Sequence, residues 1–210
     1  MTEIILVRHG ETAWNAEGRM QGHLDIPLNE AGLAQAAALG ERLSSERLHA
    51  IYSSDLSRAY RTATAIAAHD GRAIQRDQRL REQHYGVLQG LTHAEAKSQQ
   101  PAAWKAYRSR MPDVPLQGGE MLRVFFERVR GFLLEVCERH AGERVLLVTH
   151  GGVLGAAYRH VTGMALESPR NFPILNASIN VISWTKQRWT VERWGDVGHL
   201  PNVVFATSAD

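Results

Sequence analysis

The chain has 210 residues, enough for one sizeable core, and its 24 Lys and Arg against 22 Asp and Glu leave a formal charge of +2. That balance provides no strong field for nucleic acid or an anionic membrane, so neither is expected as a partner. One cysteine, Cys137, permits no internal disulfide, no Cys/His spacing resembles a zinc site, and no apolar run approaches a membrane span or signal sequence. A soluble cytoplasmic protein is the expectation.

Residues 3–7 predict a short strand: Ile4, Ile5, Leu6 and Val7 show no polar alternation, as in a strand buried on both faces of a parallel sheet. Arg8, His9 and Gly10 follow at its carboxyl end, where open α/β sheets bind ligands. Arg8 offers a planar fork for an oxyanion, His9 a nucleophile or base, and Gly10 a tight turn. Residues 10–27 have no clear period and read as a long functional loop. Asn29 then caps a helix with Leu33, Ala36, Ala37, Gly40 and Leu43 at helical spacing.

A second strand over 50–52 runs into Ser53-Ser54-Asp55-Leu56-Ser57-Arg58, and a helix spans about 57–69 before Gly71. Such a helix start offers free N–H groups and a favourable dipole to an anion. Ser54 or Asp55 serves equally well as a simple cap. Arg58 is different, because a cation in a first helical turn opposes the dipole, and a bound anion would explain it. After a weak strand at 74–76, Glu82 precedes a loop with two glycines, and 92–115 is polar, helical in patches and rich in proline. That stretch reads as a cap inserted over a site.

An amphipathic helix follows over about 120–140, with Cys137 beside an apolar stripe of Leu122, Phe125, Phe126, Val129, Leu133 and Val136, so packing is its expected role. Residues 144–149 predict the clearest strand, leading into His150-Gly151-Gly152 and a helix over about 153–163. Segments 178–184 and 189–194 suggest a hairpin, and 197–210 a tail that folds back. His23, His49, His69 and His140 read as surface residues.

Two strand ends thus carry His, and one loop carries a lone Glu. In this arrangement the sequence resembles the histidine phosphatase superfamily, also called phosphoglycerate mutase-like. The matching pieces are Leu6-Val7-Arg8-His9-Gly10-Glu11-Thr12, Asn15, Ser53 to Ala59 with Thr62-Ala63, Leu80 with Glu82 and Tyr85-Gly86, and Val148-Thr149-His150-Gly151-Gly152. They cover essentially the whole chain in order.

The resemblance implies an α/β fold, a three-layer αβα sandwich with a mostly parallel central sheet. It is expected as one domain over 1–210 with a small, mainly helical cap insertion at approximately 84–119. It further implies catalysis by His9, Glu82, His150, Arg8 and Arg58, with His9 as nucleophile and transient phosphohistidine. His150 would donate a hydrogen bond as a cation. Glu82 would be the general acid and base, with a raised pKa. Substrate contacts would come from Arg8, Asn15, Gln21, Arg58, Tyr85, His150 and Gly151, although Asn15 and Gln21 read equally well as ordinary loop residues. No metal ligands are implied, since guanidinium and imidazolium groups replace a divalent ion around the phosphoryl oxygens.

The same pocket serves phosphatases and mutases. His84-Tyr85-Gly86 and Leu88-Gln89-Gly90-Leu91 resemble the mutase branch. Three cationic positions of that branch read here as Gln83, His93 and Lys105-Ala106, while Gly118-Gly119-Glu120 and Gly152 resemble the phosphatase branch. The expectation is therefore a phosphomonoesterase acting on a small phosphorylated substrate as a monomer or homodimer, with no cofactor. The alternative is a phosphoglycerate mutase requiring 2,3-bisphosphoglycerate, with Lys105, Arg108 and Arg110 as replacement cations. A non-catalytic phosphate-binding module is a third reading, disfavoured because His9, His150 and both arginines are present. Trp104, Tyr107 and Met111 either line an acceptor pocket or pack the cap.

Overall fold

Alternate residues of the first strand, β1 (Thr2–Arg8), divide the protein into layers: Ile4 and Leu6 face one side and Ile5 and Val7 the other, all buried. The computed structural model describes residues 1–69 and 71–200. The other strands are β2 (Ala50–Ser53), β3 (Ile74–Arg76), β4 (Arg144–Thr149), β5 (Ile179–Thr185) and β6 (Arg188–Asp196). They form a six-stranded sheet in the order β3-β2-β4-β1-β5-β6, in which β5 alone runs against the rest. β4 repeats the division, with Val145 and Leu147 on one face and Leu146 and Val148 on the other. Burial of each such side chain stabilises the fold by about 1.5–3 kcal/mol.

Helices α2 (Glu30–Leu43) and α3 (Ser57–Ala67) cover one face through Leu39, Leu43, Ala63 and Ile66. Helices α6 (Leu122–Arg139) and α7 (Gly151–Thr162) cover the other through Phe125, Phe132, Leu133, Val153 and Leu154, with Cys137 buried among them. This is the expected three-layer arrangement. Asn29 caps α2 by accepting the Gly32 N–H at 2.8 Å, and Gly163 ends α7 with φ +71°.

A separate apolar cluster of Met20, Leu88, Ala96, Ala103 and Leu116 joins the 10–27 segment to α4 (His93–Gln99) and α5 (Pro101–Ser109). Trp104 packs against it. The 10–27 segment is more ordered than its sequence suggests. It holds a one-turn helix, α1 (Ala13–Ala16), and bridges Thr12 to Leu28 and Arg19 to Thr92. Two histidines expected at the surface are partly buried: His23 bonds the Glu82 carbonyl, and His140 lies between Tyr52 and Glu143. Of the expected C-terminal tail, 201–210 lies outside the described residues. Among the described residues no helix is long and apolar enough to cross a membrane.

Strand register positions the site. Arg8 pairs with Thr149, and Ser53 with Val148, so His9, Ser54 and His150 leave three adjacent strand ends at the same edge of the sheet.

Candidate active site

His9 follows the last residue of β1 and is buried. Its Nδ1 lies 2.7 Å from the carbonyl of Gly10. A carbonyl only accepts, so Nδ1 carries the proton and Nε2 keeps its lone pair. Burial first, then the charges of Arg58 and Arg8, hold the pKa of His9 well below its usual value. The imidazole is therefore neutral, with Nε2 ready to act as a nucleophile. Gly10 leaves room for this turn, since a Cβ there would stand 2.4 Å from the Gly32 carbonyl oxygen.

Arg58 and His150 are wholly enclosed. Arg58 Nε donates to His150 Nδ1 at 3.2 Å, and its terminal nitrogens donate to the carbonyls of Leu24 and Gly22 at 2.7 and 2.8 Å. His150 Nδ1 is thus an acceptor, and the remaining ring proton sits on Nε2, 2.8 Å from Ser54 Oγ. The expected imidazolium is corrected on this point: His150 is neutral here, because burial, Arg58 and His9 all disfavour its charged form. The unusual position of Arg58 in the first turn of α3 is explained by loop carbonyls as well as by any anion. Burial lowers its pKa to about 10, so it stays cationic.

Neither Ser54 nor Asp55 caps α3. The Ser57 N–H donates to Asp25 Oδ1 at 2.7 Å, while Asp55 pairs with Arg81 and Ser54 receives His150. Together with the Arg58 bonds, this ties residues 22–25 to the start of α3.

Arg8 reaches the carbonyl of Ile174 at 2.9 Å, and its buried Nε has no partner. Beside it is the start of α7, where a Cβ on Gly151 would stand 3.4 Å from Arg8 Nε and 3.1 Å from Ile174 Cγ2. Glu82 is buried, and its two carboxylate oxygens accept the N–H groups of Gln83 and Gly152, each at 2.8 Å. Gly152 is required for this approach, because a Cβ there would lie 2.0 Å from Glu82 Oε1. Arg128 holds the chain around Glu82 by donating to the carbonyls of Arg79, Arg81 and Glu82 while pairing with Glu120.

The fold therefore brings His9, Arg8, Arg58, Glu82, His150 and Gly151 to one sheet edge. Tyr85 joins them in the wall of a cavity of about 280 Å³ that also contains Arg8, Glu82 and Gly151. Asn15 is engaged structurally: it completes the capping box of α1 and its Oδ1 accepts from Asn176. Gln21 is buried with Oε1 unpartnered. Tyr107 and Met111 line the cavity, whereas Trp104 packs in the small cluster. Of the three possible replacement cations, Arg110 lines the cavity, Arg108 lies over Trp104 and Lys105 is exposed.

Four contributors were not singled out from the sequence, and three of them carried little signal there. Ile174 offers a backbone carbonyl, and Asn176 holds the His9 carbonyl at 3.0 Å. Ala177, at φ +54°, donates to the carbonyls of Arg8 and His9. Arg159 was the readable one, as an arginine one turn after Gly155 on a helix face of glycine and alanine. Among the described residues no three His, Cys, Asp or Glu side chains gather as a metal site.

The profile of the histidine phosphatase superfamily (branch 1) matches residues 4–197. Phosphoglycerate mutase-like protein 4 of Arabidopsis thaliana is 44% identical over 210 residues, covering 98% of this chain and 90% of the relative. The metal-independent phosphoserine phosphatase of the same plant is also 44% identical, over 98% of this chain and 86% of its own length. Among solved structures, Bacillus stearothermophilus YhfR superposes with a TM-score of 0.88 at 36% identity, covering 95% of this chain and 99% of its own. With strand-end histidines, paired arginines and a buried glutamate in the family's order, the chain belongs to the histidine phosphatase superfamily, branch 1.

Proposed function

We propose that this chain hydrolyses phosphomonoesters of small metabolites through a phosphohistidine on His9, without a metal ion or other cofactor. The observation that carries the reading is the His9 Nδ1 to Gly10 carbonyl bond, which leaves a neutral imidazole with its Nε2 lone pair among buried cationic groups. Such a nucleophile needs no separate base.

The phosphoryl group enters beside Arg8 and Arg58, whose unused N–H groups, with those at the start of α7, stabilise its equatorial oxygens. Loss of one such donor typically costs about 10²- to 10³-fold in turnover. Nε2 attacks phosphorus, the ester P–O bond breaks, and protonated Glu82 gives its proton to the leaving oxygen. The Glu82 carboxylate then takes a proton from water, the hydroxide attacks phosphorus, and the N–P bond breaks to release phosphate and restore His9. His150 contributes the Nε2–H now directed at Ser54. Asn15 and Gln21 contribute secondary contacts, Asn15 through its amide nitrogen. Tyr85 and Gly151 line the substrate side.

Residues 1–210 act as one domain, in which 84–119 form the cap and contribute Tyr85, Tyr107 and Met111 to the acceptor side. The setting is the cytoplasm, which suits a chain whose single cysteine is buried. The relative named as a metal-independent phosphoserine phosphatase supports the phosphatase assignment without a metal. The mutase reading draws on the relative named as mutase-like and on Arg110 in the cavity wall, but Lys105 is exposed and Arg108 lies over Trp104, so of the three replacement cations only Arg110 lines the cavity.

The test is hydrolysis of p-nitrophenyl phosphate in excess chelator, with His9→Ala as control and acid-labile phosphoprotein trapped by rapid quench. Turnover with trapped phosphohistidine is expected, and activity that survives His9→Ala would refute the nucleophile. Incubation with 3-phosphoglycerate and 2,3-bisphosphoglycerate separates the two branches. Phosphate release without 2-phosphoglycerate is expected.

A further inference from the structure

Beyond Glu82 the cavity follows one face of α7. Gly151, Gly152, Gly155 and Ala156 form that wall, and Arg159 closes it. Three- and four-residue spacing places these on one side of the helix, so the backbone itself is the wall until a cation appears. Arg159 is only 4% exposed. It folds back along the helix, with Nη1 3.4 Å from the Gly155 carbonyl, Nη2 2.9 Å from that of Ser168, and the guanidinium over Phe172 at 5.3 Å. Its buried Nε–H has no acceptor.

Arg110, at the end of α5, donates to the Leu166 carbonyl at 3.2 Å and lines the same space, as does Arg170. Among the described residues neither Arg110 nor Arg159 forms an ion pair with a carboxylate. The acids in the wall are engaged elsewhere, Glu120 with Arg128 at 2.7 Å and Glu82 with backbone N–H groups. Burial, then Arg110 and Arg170, bring the Arg159 pKa down to about 10, which leaves it charged at neutral pH. A buried cation without a counter-ion, facing others of like charge, is an unfavourable arrangement that a ligand anion would relieve.

We infer that the leaving group of the substrate carries a second oxyanion, carboxylate or phosphate, bound by Arg159 and Arg110 at the far end of this cavity. This rests on the phosphatase reading above. The Arg159 guanidinium lies beside Gly155, about one helical turn or ~5 Å from the glycines next to the reacting end. Leu122, Phe125, Phe126 and Met111 line the path between. The ligand is therefore a phosphomonoester with an uncharged spacer of roughly four to six bonds before the second anion.

Non-hydrolysable ω-phosphonoalkanoates of increasing length, matched chains ending in carboxamide, and α,ω-bisphosphonates would be titrated calorimetrically into the full-length protein. At the fitting length the chain ending in an anion is expected to bind about 10- to 100-fold more tightly than the amide, as for a charge-assisted hydrogen bond. The ratio should fall toward one in Arg159→Gln and decrease in Arg110→Gln, and the two anion series separate carboxylate from phosphate. If Arg159→Gln fails to fold, Arg110→Gln decides alone. Equal binding of anion and amide at every length, or a preference untouched by the folded variants, overturns the inference. Absence of p-nitrophenyl phosphate hydrolysis with the preference intact would instead remove the phosphatase reading and leave the anion site standing.

Discussion

Replacing Gly152 by alanine should separate acid catalysis from phosphate binding. The added Cβ would stand 2.0 Å from Glu82 Oε1 and 2.9 Å from its Cδ. The backbone there is held by the first turn of α7, whose Leu154 N–H donates to the His150 carbonyl at 3.1 Å, so the carboxylate must move. Glu82 then loses its 2.8 Å bond to the Gly152 N–H, a charge-assisted contact worth about 1.5–3 kcal/mol. A positioned general acid contributes about 10²- to 10⁴-fold, and an alkoxide leaving group needs all of it, whereas p-nitrophenolate needs little. For β-glycerophosphate, kcat/KM should fall about 10²-fold or more, equivalent to about 2.7 kcal/mol. The loss on p-nitrophenyl phosphate should stay below about 10-fold. Steady-state kinetics on both esters, with a thermal melt to verify folding, make the comparison. Equal losses on the two substrates would refute both the acid role of Glu82 and its dependence on Gly152.

Arg58→Met leaves the Gly22 and Leu24 carbonyls and His150 Nδ1 without donors, at about 1–3 kcal/mol for each buried group. A melting temperature lowered by several degrees is expected, and Arg58→Lys should not restore it, because one ammonium cannot reproduce the planar fork. An unchanged melt in either variant would contradict this account. Stability should also fall at acid pH. His9 and His150 have folded pKa values well below the ordinary 6.5, so below about pH 6.5 the unfolded chain takes up protons that the folded site refuses. Each histidine then lowers stability by up to ~1.4 kcal/mol per pH unit as pH drops toward its folded pKa. Denaturant titrations at pH 7.5, 6.5 and 5.5 measure the slope, and a His9→Asn, His150→Asn double variant should flatten it. A wild-type slope matched by the double variant would mean that these imidazoles do not titrate as described. Arg128→Ala frees the chain around Glu82 and should lower kcat on alkyl phosphates about 10-fold with little change in KM. A change confined to KM would argue against a positioning role.

The layers were legible because they follow from local periodicity. The unbroken apolar runs in β1 and β4, the Asn29 cap and the amphipathic α6 each depend on residues close in the chain. The placement of His9, Arg58 and His150 at strand or helix ends was legible for the same reason, and the sheet then gathers those ends. Protonation states were not. Whether His150 is a cation depends on which of its ring nitrogens meets a donor, and that donor, Arg58, lies 92 positions away.

Residues with no local pattern were also hidden. Arg8 is anchored on a carbonyl 166 positions downstream, and Asn176 reaches the backbone of His9 across 167. The role of Gly152 emerged only once Glu82 was seen to occupy the space a Cβ would need. The small-residue face of α7 likewise has meaning only with Arg110 and Arg159 at its far end. The sequence by itself determined the order of strands and helices and the chemical groups at their ends, because apolar spacing and capping act over a few residues. Tertiary structure alone decided which nitrogen carries a proton, which donor is engaged and where a cavity opens, because those depend on burial and on partners that meet only when the chain has folded.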